Sequence, residues 1–171
     1  MPHIVKDPLL TATAVATVLA RIALAIGMLG LTATLAAAVF NPDLLKPPLI
    51  GIGRGGQEDL PIAALLIVAL TIAAFALLFD FAAQLARIVA TVRQGDPFTL
   101  ANAARLSRMG WLAMGVLAIN AAQTLMSMYL PSNGLDTHMS LTGLAVGLVL
   151  FILARVFRHG AAMREDLEGT V

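Results

Sequence analysis

Four long, nearly uncharged apolar stretches constrain this chain more than any other feature of its sequence. A helix rises 1.5 Å per residue, so about 20 apolar residues are needed to cross a hydrocarbon core of about 30 Å. Stretches at about 17–40, 61–85, 110–130 and 141–157 meet that length. Asn41-Pro42 stops the first, Pro61 suits the first turn of the second, and Pro131-Ser132-Asn133-Gly134 follows the third. Membrane-spanning strands would instead alternate over segments of about ten residues, and nothing in the chain alternates. The expected fold is therefore all-α, an integral membrane four-helix bundle forming one domain over residues 1–171.

Composition supports lipid as the surrounding solvent. Charged residues make up 12% of the chain, about half of what a soluble domain needs to cover its surface. The net charge of +1 gives no field that would draw the chain to nucleic acid. Cysteine is absent, which removes disulfides, thiolate nucleophiles and cysteine-based metal centres. Ala36-Ala37-Ala38 offers small residues of a signal-cleavage type, but the run from Ile22 to Phe40 exceeds the apolar core of about 7–15 residues that a cleavable signal carries. It reads as a spanning anchor.

Basic residues orient the spans. Lys6, Arg21, Arg87, Arg93, Arg105, Arg108, Arg155, Arg158 and Arg164 fall on one side, nine against the two of Lys46 and Arg54. Positive residues mark the cytoplasmic side, so both termini are expected in the cytoplasm, with a corner at 86–109 and a tail at 158–171. Trp111 and Tyr129 flank the third span, about 27 Å apart along a helix, which matches the separation of two aromatic belts. The outer connection carries Gly51, Gly53, Gly55 and Gly56. It does not link a strand to a helix, as a phosphate-cradling loop must, so a plain connector is expected.

Several residues could carry chemistry. Arg21 and Asp80 are the charges that intrude on the spans, at similar depth, and intramembrane charges usually pair or line a pathway. An Arg21–Asp80 ion pair joining the first two helices is expected; the alternative is that Arg21 snorkels to the headgroups. Asn120, Gln123, Thr124 and Ser127 recur at i, i+3, i+4 and i+7 on the third span, one face of a helix. That face is expected to point into the bundle and hydrogen-bond neighbouring helices, with a polar-ligand site or permeation path as the functional alternative. Gly143 and Gly147 form a small-xxx-small spacing that permits close helix packing, within the bundle or between copies.

No catalytic set emerges. His3, His138 and His159 all lie outside the spans, and no nucleophile–base order or carboxylate pair occurs in the bilayer. Met126, Met128, His138 and Met139 are ligands of a kind that suits Cu(I), but methionine is also ordinary filler of apolar helices. No enzyme activity and no cofactor are expected.

The corner carries the most distinctive residues. Gly95 suits the left-handed position after a helix, and Asp96-Pro97 suits an N-cap followed by a first helical residue. Asn102, Arg105 and Arg108 follow along one side of the next helix. Leu85-Ala86-Arg87 with Arg93-Gln94-Gly95 is weakly echoed by Leu153-Ala154-Arg155 with Arg158-His159-Gly160. The acidic end from Met163 to Val171 is expected to be disordered as tails usually are; the alternatives are that it pairs with the basic corner or docks elsewhere through its carboxylate. Basic residues just inside a bilayer also serve anionic lipid.

Gly95-Asp96-Pro97-Phe98, then Asn102 and Arg105-Leu106, and the tail from Asp166 to Val171, resemble the YoaS-like family of small four-helix bacterial membrane proteins. The resemblance implies a multi-pass protein of the bacterial inner membrane whose gene often neighbours a small helix-turn-helix regulator. It implies no catalytic or ligand residues. The leading expectation is a non-enzymatic protein that binds or restrains such a cytoplasmic partner through Asp96, Pro97, Asn102, Arg105, Arg108, Asp166 and Glu168. The other is a small transporter or channel subunit, as a homo-oligomer, using the stripe on the third span.

Overall fold

The computed structural model describes residues 8–41, 60–129 and 142–168. The glycine-rich connection, and the loop that carries His138 and Met139, lie outside the described residues. The described chain is all-helical: α1 (Pro8–Phe40), α2 (Leu60–Arg93), α3 (Leu100–Tyr129) and α4 (Thr142–Glu168). All four are long and apolar enough to cross a membrane, and the chain is a multi-pass membrane protein on that ground.

Each helix outruns its apolar stretch. α1 has 33 residues and α2 has 34, about 50 Å each at helical rise. α4 continues helically to Glu168, which corrects the expected disorder up to that residue; residues 169–171 lie outside the described residues. The helix continues because Ala161 is buried and Phe157 packs into a core, giving the last turns something to rest on.

The packing is serial rather than a closed bundle, a second correction. α1 packs on α2, α2 on α3 and α3 on α4, with no extended packing of α1 against α3 or α4 among the described residues. Heptad spacing explains the order. On α1 every third and fourth residue from Leu10 to Ala38 is buried or half-buried, the 3.5-residue period of a coiled-coil seam. α2 carries two such seams. One runs from Leu65 to Arg93 and meets α1; the other runs from Ile67 to Thr91 and meets α3. Strict seams are narrow, so α1 spends its only one on α2 and turns apolar side chains such as Ile26 and Leu29 outward. Lipid accepts those at no cost.

Two cores result. Ala38 and Val68, with Leu31, Leu35, Leu65 and Ile72, fill the far end of the α1–α2 seam. Ile88, Leu106, Met109, Leu150 and Ala154 gather α2, α3 and α4 near the α2–α3 corner. Away from the corner α2 and α4 part, leaving a groove of about 190 Å³ lined by Leu77, Phe81, Leu112, Val116 and Val146 among others. Threonine hydroxyls within α1 donate to their own helix's carbonyls, as Thr13 to Leu9 and Thr17 to Ala14, both at 2.8 Å. This satisfies them without a partner helix.

Candidate functional site

The corner between α2 and α3 is the most tightly specified place in the molecule. Gly95 takes φ 86°, a backbone state that costs residues with a Cβ about 1–2 kcal/mol. Its N–H donates to the Val92 carbonyl at 3.0 Å, and the Asp96 N–H donates to Thr91 at 3.2 Å. These two bonds form the Schellman closure of a helix C-terminus. Thr99, not Asp96, then caps α3: its Oγ1 accepts the Asn102 N–H at 3.1 Å. Asp96 is drawn away because its carboxylate pairs with Arg164 of α4. Phe98 turns the same way, stacking on Phe157 at 5.0 Å between ring centroids and seating against Gly160.

Asn102 sits beneath this corner and is 0% exposed. Its Nδ2 donates to Thr91 Oγ1 at 2.7 Å and to the Pro97 carbonyl at 2.9 Å, while its Oδ1 accepts from Arg105 Nη1 at 2.8 Å. The amide is thereby engaged on both sides, as a buried polar group must be. Asn102 is a strut of the fold, and the expectation that it faces a partner is corrected. The Pro97 carbonyl is likewise occupied, and Arg105 is half-buried against the strut.

A second polar rung lies further along α2 and α3. Arg108 Nε donates to Asp80 Oδ2 at 2.9 Å and its Nη2 lies 2.8 Å from the same oxygen in an ion pair, and Gln84 donates to Asp80 Oδ1 at 2.9 Å. The expected Arg21–Asp80 pair is not formed. Phe79, one residue earlier on α2, faces α1 and carries Arg21 above its ring at 4.9 Å, a cation–π contact. One residue on a helix is about 100° of rotation, so Asp80 meets α3 instead. Arg21 Nε is buried without a hydrogen-bond partner.

A third rung joins the far ends. Gln123 donates to Thr71 Oγ1 at 2.9 Å and to the Ile67 carbonyl at 3.3 Å. The rest of the expected stripe does not share this face. Asn120 is exposed, Thr124 donates back to the Asn120 carbonyl at 2.8 Å, and the Ser127 side chain lies outside the described residues. α4 begins at Thr142, with Gly143 opposite Leu117 of α3, so among the described residues no neighbour reaches Asn120. Gly143 and Gly147 lie against α3, at Leu117 and Ala113 and at Met114 and Gly110 respectively.

The corner end of α4 is the exposed part of the site. Arg155, Arg158, His159, Met163, Glu165 and Asp166 are all exposed, while the Glu168 side chain lies outside the described residues. No group of three or more His, Cys, Asp or Glu residues able to hold a metal occurs among the described residues. Sequence reasoning missed the strut and Thr99. A Thr three residues before Asn and directly before an apolar run was the available signal.

Comparison with known proteins identifies the family. A family described as protein of unknown function (DUF2975) matches residues 56–171, so the chain belongs to it. That match spans α2, α3, α4 and the corner that ties them together, and α1 lies before it. No curated protein and no solved structure matches the chain.

Proposed function

We propose that this chain is a non-enzymatic protein of the bacterial inner membrane, with its corner and termini in the cytoplasm, that binds or restrains a cytoplasmic partner. A small helix-turn-helix transcription regulator is the partner in this reading. The observation that carries it is the helical end of α4, held by Phe98 and Asp96 and exposing charged residues around Met163. A pre-formed helix face presents contacts without an ordering cost, and an exposed methionine among charges is an adaptable apolar anchor. The nine-to-two distribution of basic residues supports the orientation. The likeness of Gly95–Phe98 and the tail to YoaS-like proteins supports the choice of partner.

The docking surface in this reading is the outer face of α4 from Arg155 to Asp166, in place of Asp96, Pro97 and Asn102, which are occupied within the fold. The test is a pull-down of the tagged full-length protein, mildly solubilised from its native membrane. A second bait carries Arg158→Glu and Met163→Glu, both exposed positions. A DNA-binding protein retained by the first bait and lost from the second is the expected result. Equal retention by both baits rejects the surface.

The second reading, a transporter or channel subunit, draws on the exposed Asn120 amide, which lies one turn beyond Val116 of the apolar groove. Asn120→Leu would then abolish solute flux in reconstituted vesicles while leaving the protein folded. Unchanged flux rejects it.

A further inference from the structure

Arg108 uses only part of its guanidinium on Asp80. Nε donates to, and Nη2 pairs with, the same carboxylate oxygen, and the side chain remains 63% exposed. A guanidinium has five N–H donors, so at least two remain directed away from the pair. Arg87, seven residues after Asp80 and so about two turns on, is exposed on the same side of α2, with no partner among the described residues. Its charge is close enough to act on Asp80. Two arginines against one carboxylate leave one positive charge uncompensated. Gln84 holds the other Asp80 oxygen.

Trp111 adds the third part. It follows Arg108 by three residues, is 69% exposed, and rests edge-on against Phe151 at 5.4 Å between ring centroids. Its indole N–H has no partner among the described residues. Tryptophan with its ring in apolar surroundings and its N–H free is the arrangement found at headgroup level in membranes. A free guanidinium N–H and an indole at headgroup level both suit a phosphate oxygen as acceptor better than hydrocarbon.

We propose that the α2–α3 face formed by Arg87, Arg108 and Trp111 binds the phosphate of an anionic phospholipid in the leaflet on the corner side. Arg87 and Arg108 grip the phosphate oxygens from two helices, and Trp111, about one turn deeper than Arg108, lays its ring along the upper acyl chain. Asp80 and Gln84 are positioning residues that hold Arg108 in place. The site needs neither a partner protein nor a particular orientation of the termini.

Native mass spectrometry of the full-length protein, released from detergent with equimolar phosphatidylglycerol and phosphatidylethanolamine, tests this. The wild type is expected to retain phosphatidylglycerol in excess. Arg87→Gln, which removes no contact of the fold, is expected to lower that excess about five-fold, and Arg87→Lys to keep most of it. Trp111→Leu should lower it too. Arg93→Gln removes the same charge from the seam facing α1 and should leave the excess intact. The proposal is overturned if Arg87→Gln keeps the wild-type ratio, or if Arg93→Gln loses as much, since a general positive field would then suffice. Abolition of the excess by 10 mM inorganic phosphate, a concentration chosen on the order of a weak anion site, overturns the choice of lipid in favour of a soluble anion.

Discussion

Replacing Asn102 with alanine isolates what the corner strut contributes. The substitution removes two hydrogen bonds donated by Nδ2 and one accepted by Oδ1, while the backbone N–H keeps its bond to Thr99. Each bond contributes about 1 kcal/mol net, and the Pro97 carbonyl keeps the Thr99 N–H at 3.2 Å. Arg105 is half exposed and recovers water, which offsets part of its loss. The expected destabilisation is about 2 kcal/mol, or roughly thirty-fold in the unfolding equilibrium. Trp111 is the single tryptophan of the chain and sits against Phe151 of α4, so its fluorescence follows α3–α4 separation during unfolding in mixed micelles. Asn120→Ala is the matched control, the same chemical change on the same helix at an exposed side chain. It should shift stability by less than about 0.5 kcal/mol. Two asparagine substitutions of equal effect would refute the assignment of Asn102 as a strut.

Further perturbations address the other contacts. A double-mutant cycle between Asp80→Asn and Arg108→Gln should return a coupling of about 1 kcal/mol or less, given the exposure of Arg108; the cycle of Asp80→Asn with Arg21→Gln should return none. Gly147→Leu drives a side chain into Met114 and the Gly110 carbonyl, which should cost about 1–3 kcal/mol in the same unfolding assay, and Met114→Ala should restore part of it. Gly95→Ala keeps every contact but forces alanine to φ 86°, and should cost about 1–2 kcal/mol. Phe98→Ala frees the end of α4 from Phe157 and Gly160, so amide exchange at residues 158–166 should accelerate with little change in α1.

The helices were legible from length and apolarity, and the left-handed turn from Gly95 alone. What the sequence concealed was angular. Arg21 and Asp80 matched in depth, but depth is read from counting residues and facing from rotation, and Phe79 took the angle that Asp80 would have needed. The same limit split Asn120 from Gln123. Only an i+3 step separates them, yet α2 covers one and nothing described covers the other. Asn102 was read as surface because it lies among arginines. A buried amide and an exposed one share a composition, and only the turn of chain at Thr91 and Pro97 distinguishes them. Asp96-Pro97 carried the pattern of a helix start, but an ion pair to a residue 68 positions away outweighed it.

The serial order of the helices divides the molecule into two regimes of attachment. The corner ties α2 to α3 through the buried Asn102 amide, whose loss would leave polar groups unsatisfied, so that junction opens all at once or not at all. Phe98 on Phe157 and the exposed Asp96–Arg164 pair hold α4 to it. α1 has no such anchor. Its seam is apolar apart from Thr17, bonded within its own helix, and Arg21, resting on an aromatic ring. Lipid chains are as apolar as leucine, so no hydrophobic force holds that seam shut. Fit alone holds it, as where the Phe75 ring closes over Gly27. The first helix can therefore trade α2 for lipid without exposing anything to water, and its docking is a graded equilibrium that bilayer thickness and lipid packing can tune.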